Sequence, residues 1–384
     1  MNSRKTAAKT RDTWIYHSSD EHDGKTLAAA LRDLSQQEQA QETSRGQAKK
    51  WIENRQVQVN GNLCLDEARR VTAKDVIKVH HEPLPRPLEA RDIRLAHVDD
   101  DLIVVEKPAG ITTVRHFAER KLSTRRRQLQ PTLDELLPQV LAKKLGLRWP
   151  PLPPEGMNKG RRSTNSSRAR KRPGQIQNAK KLPRELQIFP VHRLDRDTSG
   201  LMLFARNNLA EQRLISMFRR HTIQRLYTAF CAGEIEPQKI ESMLVRDRGD
   251  GVRGSLRDGA DVPEDQPQPL PATTHILKSE TIAQGKFSKI RCRLETGRTH
   301  QIRIHLAEAG HPICGDSIYQ QHLDGTHVED TSCAPRQTLH SHQLEFSHPI
   351  SGEHLRFVMP LPKDLKEWLK KVDPKEEEKS PTRE

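Results

Sequence analysis

His192-Arg193-Leu194-Asp195-Arg196-Asp197-Thr198-Ser199-Gly200 leads without a break into Leu201-Met202-Leu203-Phe204-Ala205. The second half is a short continuous apolar run, the signature of a strand buried on both faces. The first half packs two carboxylates and two guanidinium groups into residues 193–197. Charge at the mouth of a core element is expensive unless it is paired. Spacing alone therefore allows two readings, a reactive site and a paired structural network.

Moving outward, the 384-residue chain has a formal net charge of +14, which favours an acidic partner and most simply nucleic acid. Its length leaves room for two or three domains. Only 33% of residues are hydrophobic, so part of the chain is expected to lie outside any packed core. No run approaches the roughly 18 apolar residues of a membrane span, and the polar N-terminus lacks a signal-peptide core. Cys64, Cys231, Cys292, Cys314 and Cys333 are scattered and odd in number, with no C-x-x-C pair. That argues against a zinc site or a disulfide framework, and a reduced, cytoplasmic, monomeric protein without membrane attachment is expected.

Residues 1–23 read as a polar tail. Leu27, Leu31 and Leu34 then fall on one helical face, and Ser44 is placed to cap a second helix over 45–55 that carries Lys49, Lys50 and Arg55. Val57 and Val59 alternate with polar residues before Asn60-Gly61, a hairpin signal, and 75–79 form a last strand. Prolines within 83–90 mark a linker. A larger domain is expected over 91–362, with a charged tail over 363–384. Within it, 102–105 read as a strand, 133–145 as a helix, and 208–220 as an amphipathic helix with Leu209, Leu214, Ile215 and Phe218 inward. Further strands are expected at 225–232, 275–277, 290–294, 302–306 and 355–359. Strands outnumber helices without regular alternation, which favours an α+β fold with a mixed or antiparallel sheet. Residues 246–270 read as a surface loop. An insertion at about 150–186 includes ten Lys or Arg and no Asp or Glu over 159–184. It reads as a disordered arm able to hold phosphates.

The second dense constellation is Gly297-Arg298-Thr299-His300-Gln301-Ile302-Arg303-Ile304-His305-Leu306. Read as a strand, it sets Gln301, Arg303 and His305 on one face as a wall of donors. Between the clusters lies Arg225-Leu226-Tyr227, and Tyr227 is one of three tyrosines. A metal site at His340, His342 and His348 is disfavoured, because no cysteine or carboxylate has suitable sequence spacing. A glycosidase needs two acids across the sugar, whereas here arginines crowd the candidate acid.

Taken together, His192-Arg193-Leu194-Asp195, Arg225-Leu226-Tyr227 and Gly297–Arg303 closely resemble the RluA-type pseudouridine synthases. Glu106-Lys107-Pro108-Ala109-Gly110, Gly310-His311-Pro312-Ile313 with Gly315-Asp316, Leu339-His340-Ser341 and Phe346-Ser347-His348-Pro349 extend the resemblance over about 90–362. Residues 24–82 resemble the S4-like RNA-binding domain. The resemblance implies an α+β catalytic domain with a mixed or antiparallel sheet, preceded by a small α/β S4-like domain. It implies Asp195 as the catalytic carboxylate, where spacing alone does not separate it from Asp197. Arg303 is implied as the carboxylate's partner, Tyr227 as the residue stacked on uracil, and Arg193 as the residue filling the gap left by a flipped nucleotide. His192, Arg225, Arg298 and Gln301 are expected around the substrate, and Lys49, Lys50 and Arg55 on RNA. Arg225 stands where the family commonly has lysine. No cofactor or metal is implied. The expected partner is structured RNA, with large-subunit (23S) ribosomal RNA first and tRNA as the alternative. A noncatalytic RNA-binding or ribosome-assembly factor is the rival class, and the joint presence of Asp195, Tyr227 and Arg303 argues against it.

Overall fold

The computed structural model describes residues 13–39, 44–60, 62–115, 130–151, 182–248, 251–257 and 267–374. These fall into two units, one drawn from Met1–Leu88 and His116–Pro131, the other from Glu89–Arg115 and Thr132–Glu384.

In the first unit the order is β1 (Thr13–His17), α1 (Leu27–Gln39), α2 (Arg45–Glu53), β2 (Val57–Val59), β3 (Asn62–Leu63) and β4 (Val76–His80). The strands form one antiparallel sheet in the order β1-β4-β2-β3. Leu27, Leu31 and Leu34 bury their stripe against Ile52, Val57, Val59, Ile77 and Val79. Each such side chain contributes about 1.5–3 kcal/mol. The Ser44 hydroxyl accepts from the Gln47 amide at 3.1 Å, the cap its sequence position suggests. Val59 pairs with Asn62 across a two-residue turn, and Asn60 takes the left-handed φ of 53° that such a turn requires. One expectation is corrected: residues 13–17, assigned to a polar tail, form β1. Tyr16 is wholly buried there and Trp14 packs on Trp51 at 5.4 Å, so the short apolar run Trp14-Ile15-Tyr16 outweighs its polar flanks.

The second unit runs β5 (Arg94–Val98), β6 (Leu102–Lys107), α3 (Leu133–Lys144), β7 (Phe189–Pro190), β8 (Ser199–Ala205), α4 (Asn208–Arg219), β9 (Gln224–Ala232), β10 (Gln238–Val245), β11 (Gly254–Ser255), β12 (Leu270–Ile282), β13 (Phe287–Leu294), α5 (Gln301–Glu308), β14 (Leu339–Ser347), β15 (His354–Val358) and α6 (Lys363–Val372). Its eleven-stranded sheet has the path β11-β10-β12-β13-β9-β14-β8-β6-β5, with β15 on β14 and β7 on β8. Among the described residues only the β14–β8 contact is parallel, so the sheet is mixed and the fold α+β. Every residue of β8 is buried, as its apolar run requires. Gly200 sits at the parallel contact with φ 125°, where an added Cβ would lie 2.3 Å from the Ser341 carbonyl oxygen. Glycine is therefore the residue that lets β8 and β14 approach.

Three further expectations change. Residues 302–306 are not a strand but part of α5, a helix whose residues Gln301 to Ala307 are all buried. A helix covered on all sides carries no 3.6-residue polarity signal, so the alternation of Ile302, Ile304 and Leu306 mimicked a strand. Leu209 is 51% exposed rather than inward, because the buried stripe of α4 runs through Ala210 and Leu214. Residues 363–372, assigned to a charged tail, form α6. Leu365, Trp368 and Leu369 are buried there, and Trp368 meets Phe230 edge-on at 5.2 Å. The insertion at 159–184 lies outside the described residues apart from its last three, of which Arg184 opens a short 3-10 turn at Arg184–Leu186.

Candidate active site

The loop ahead of β8 is held by its carbonyl oxygens. Lys107, wholly buried at the end of β6, donates to the carbonyls of Thr198 at 2.8 Å, Arg196 at 2.9 Å and Pro108 at 3.1 Å. The Thr113 hydroxyl donates to the Leu194 carbonyl at 2.9 Å, and Arg336 donates to that of Asp197 at 3.0 Å. The amide of Thr198 closes a turn onto the Asp195 carbonyl at 3.2 Å. Every carbonyl from 194 to 198 thus has a donor, and the backbone that carries Asp195 is fixed. Burial pushes the Lys107 ammonium down to about 7, against the opposing pull of Asp197 and then Asp195.

The Asp195 carboxylate is 16% exposed and faces a ring of groups from elsewhere in the chain. Arg303 Nη1 donates to its Oδ2 at 3.3 Å. The same guanidinium grips buried Asp316 through two bonds, Nε at 2.6 Å and Nη2 at 2.9 Å, and lies over the Tyr319 ring at 4.8 Å. Asp316 Oδ1 also accepts the amides of Ile318 and Tyr319 at 2.9 and 3.1 Å. The Tyr319 hydroxyl lies 2.7 Å from His300 Nδ1, and His300 Nε2 lies 3.8 Å from Asp195 Oδ1. Burial pushes the Tyr319 phenol up to about 12, so it stays a donor. In the tautomer where Nδ1 accepts that hydroxyl, the imidazole proton lies on Nε2, the nitrogen facing Asp195. Burial holds His300 below the usual histidine range despite Asp195. His300 has a left-handed φ of 61° at the N-cap of α5, a conformation rare outside glycine that sets the ring toward the carboxylate.

A cleft of about 560 Å³ opens in front of this ring, within the usual range for small-molecule sites. Asp195, Tyr227, Arg303, Arg193, His192, Arg225, Arg298 and Gln301 all line it, so the structure brings together every residue expected at the catalytic and substrate sites. Tyr227 is buried on β9, and burial pushes its phenol up. His192 accepts the Leu203 amide on Nε2 at 2.9 Å and packs on Phe218 at 4.8 Å; burial first, and Arg225 second, push it down to about 3. Gln301 is not available to a substrate through its amide. Its oxygen accepts from Thr296 Oγ1 at 2.7 Å and the Arg298 amide at 3.0 Å, while its nitrogen donates to the Thr273 carbonyl and Thr274 Oγ1, both at 3.0 Å. Both lone pairs and both protons are used, which makes Gln301 the residue that shapes the turn before α5.

Asp197 turns away to pair with Arg196 at the surface, 3.2 Å. On the first unit, Lys49 and Lys50 are exposed, with Lys49 3.5 Å from Glu67. Arg55 lies beyond the end of α2 with φ 61°, not on the helix. His300, Asp316, Tyr319 and Lys107 are among the site groups to which the sequence gives no role.

Among the described residues, Asp99, Asp101 and His348 bring one ligand atom each within 4.8 Å. Their chemistry is already committed. His348 Nδ1 accepts the amides of Ser351 at 3.0 Å and Ile350 at 3.2 Å, so the ring proton sits on Nε2, 3.3 Å from Asp99 Oδ2. A metal on Nε2 would force a proton onto Nδ1 against two N–H donors. His340 and His342 point instead at the Met359 carbonyl, 3.1 and 2.9 Å away.

With this geometry in place, the comparisons are specific. The family described as RNA pseudouridylate synthase matches residues 101–308, and the S4 domain matches 42–77. The ribosomal large subunit pseudouridine synthase D of Neisseria meningitidis serogroup A is 38% identical over 46% of this chain and 46% of its own length, so the alignment spans about half of that relative. The protein of the same name from Vibrio vulnificus is 30% identical over 84% of this chain and 85% of its own. Human RNA pseudouridylate synthase domain containing 4 aligns with a TM-score of 0.47 at 18% identity, covering 72% of this chain and 92% of that one. No helix among the described residues is long and apolar enough to cross a membrane. The family match covers more than half of the chain and contains Asp195, Tyr227 and Arg303, and the chain belongs to the RNA pseudouridylate synthase family, with an S4 domain in its N-terminal region.

Proposed function

We propose that this protein isomerises uridine to pseudouridine in large-subunit ribosomal RNA, with Asp195 as the catalytic carboxylate. The observation that carries the reading is Asp195 at the cleft wall, with Oδ2 held by Arg303 at 3.3 Å and Tyr227 lining the same cleft. The reaction breaks the C1′–N1 bond, turns the base and rejoins it through C5. A carboxylate assists by adding to the sugar or by removing a sugar proton. Arg303 holds Asp195 in place with one N–H, and its other two bonds to Asp316 keep it from following the carboxylate. The buried, neutral Tyr227 ring offers an apolar face on which uracil stacks. Both reacting atoms are hidden in a stacked nucleotide, so the uridine must be flipped at a cost of a few kcal/mol. Arg193, exposed at the cleft rim, is positioned to take the place of the extruded base. The S4 unit, with Lys49, Lys50 and Arg55, anchors structured RNA through phosphate and shape contacts. The names of the Neisseria and Vibrio relatives support the large ribosomal subunit as the source of that RNA. We place the enzyme in the cytoplasm as a monomer.

Ribosomal RNA transcripts incubated with the protein, followed by chemical adduct formation and primer extension, test the reading. Wild type should leave a pseudouridine stop that Asp195→Asn does not. RNA binding without any modification by wild type would remove the enzymatic reading.

A further inference from the structure

Arg225 is 7% exposed at the start of β9, and among the described residues its guanidinium makes no hydrogen bond and no ion pair. The other buried arginines of this unit behave differently. Arg303 is gripped by Asp316 at 2.6 Å and Arg115 by Glu135 at 2.7 Å. A buried cation without an anion is costly, and stacking on the Phe218 ring at 5.3 Å recovers only part of that cost. His192 and Tyr227, two ionisable groups beside Arg225, are both neutral at pH 7. Among the described residues no carboxylate stands within ion-pair distance of it, although Asp195 and Glu295 line the same cleft.

The group is also presented rather than hidden. Arg225 lines the cleft together with Gly297 and Arg298. An added Cβ on Gly297 would lie 2.8 Å from Arg225 Nη1, so the missing side chain at 297 is what gives the guanidinium its place. We propose that Arg225 is an anion subsite of the cleft, which receives an RNA phosphodiester flanking the flipped uridine. This rests on the uridine-modifying reading above and adds to it the part of the substrate that Arg225 takes. Uracil and ribose are neutral and cannot balance the charge, whereas a phosphate can, with two oxygens matched to the guanidinium fork. A lysine at 225 would offer a point charge without that fork.

Two measurements test this. Once the modified uridine is mapped, short RNA substrates carry a neutral methylphosphonate at each flanking phosphate in turn. Wild type should lose about tenfold or more in kcat/KM at one position, the scale of a charged hydrogen bond. Arg225→Met should show that loss on unmodified RNA and no further loss at that position. Uniform tolerance by wild type, or an undiminished methylphosphonate effect in Arg225→Met, would overturn the subsite. The second measurement is thermal unfolding of the free protein. Removing an unpaired buried charge should leave Tm unchanged or raised, and a clear fall would make Arg225 a structural residue instead. The unfolding arm stands even if wild type modifies no RNA, so failure of the enzymatic reading and failure of the subsite are told apart.

Discussion

Asp316→Asn isolates the bond that fixes Arg303. Asp316 Oδ1 accepts from Arg303 Nη2, the Ile318 amide and the Tyr319 amide, and Oδ2 accepts from Arg303 Nε at 2.6 Å. An asparagine keeps its oxygen where three donors converge, which turns its NH₂ toward Arg303 Nε. One strong bond becomes a contact between two donors, and the guanidinium loses its buried anion. The side chains are only 7% and 1% exposed, so water cannot compensate. Breaking one partner of such a pair costs about 3–5 kcal/mol. Urea unfolding at constant m should show a loss near the lower end, about 3 kcal/mol, because Asp195 still offers Arg303 one carboxylate. Single-turnover pseudouridine formation should slow as well, since Arg303 no longer holds Asp195 from a fixed point. Arg303→Met combined with Asp316→Asn removes the stranded cation while the asparagine still accepts both amides. That double variant should recover most of the stability and none of the activity. A loss below about 1 kcal/mol in Asp316→Asn, or a double variant less stable than it, would refute the reasoning.

Three further outcomes are expected. Burial pushes His340 down to about 4 while it accepts from Ser199 and donates to Met359; a folded value below the unfolded 6.5 means full stability above about pH 6.5, lost as pH falls toward 4. The gap is worth about 3 kcal/mol, and His340→Gln should make the dependence of Tm on pH shallower across that window, with buried His192 and His305 supplying what remains. Lys107→Met should lower kcat at least about tenfold with RNA affinity unchanged, because it frees the Thr198 and Pro108 carbonyls without touching the cleft surface; filter binding and single-turnover rates separate the two. Trp368→Ala should destabilise the protein by about 3–5 kcal/mol in urea, since α6 belongs to the core.

What was legible in the sequence followed from local signals that burial did not blur. The run 201–205 read as a strand because β8 is apolar on both faces, and the stripe 27, 31, 34 read as a helix because α1 has one polar face. The helix α5 was illegible for the opposite reason: it lies inside the unit, and packing against β10 and β12 rather than patterning decides its conformation. The signal for α6 was present as Leu365, Trp368 and Leu369 at spacing i, i+3, i+4, but the lysines and glutamates around it resembled a solvated tail. Within the site, the pairing of Asp195 with Arg303 is expected from resemblance and not from local pattern, since 108 residues separate them. His300 and Tyr319 gave no local cue, because their roles arise from a hydrogen bond across 19 positions and a left-handed backbone. The part of Gln301 that the sequence does not disclose is similar: it lines the cleft as expected, but the four partners that exhaust its amide come from a turn and from β12.

These contacts explain why Asp195 is held twice. Lys107, Thr113 and Arg336 fix the loop through its carbonyl oxygens and never touch the carboxylate. Arg303 and His300 face the two carboxylate oxygens and leave the loop backbone alone, while Asp316 and Tyr319 hold them in turn. A carboxylate on a fixed backbone still has two free torsions, and a clamped carboxylate on a mobile loop still drifts with it. Only both constraints together confine the oxygens to the fraction of an ångström that a near-attack geometry needs. The ion network and the carboxylate proposed to react are therefore one structure: the cations that crowd residues 192–200 are divided between surface pairing, at Arg196, and presentation to the cleft, at Arg193, while the cation that holds Asp195 arrives from α5.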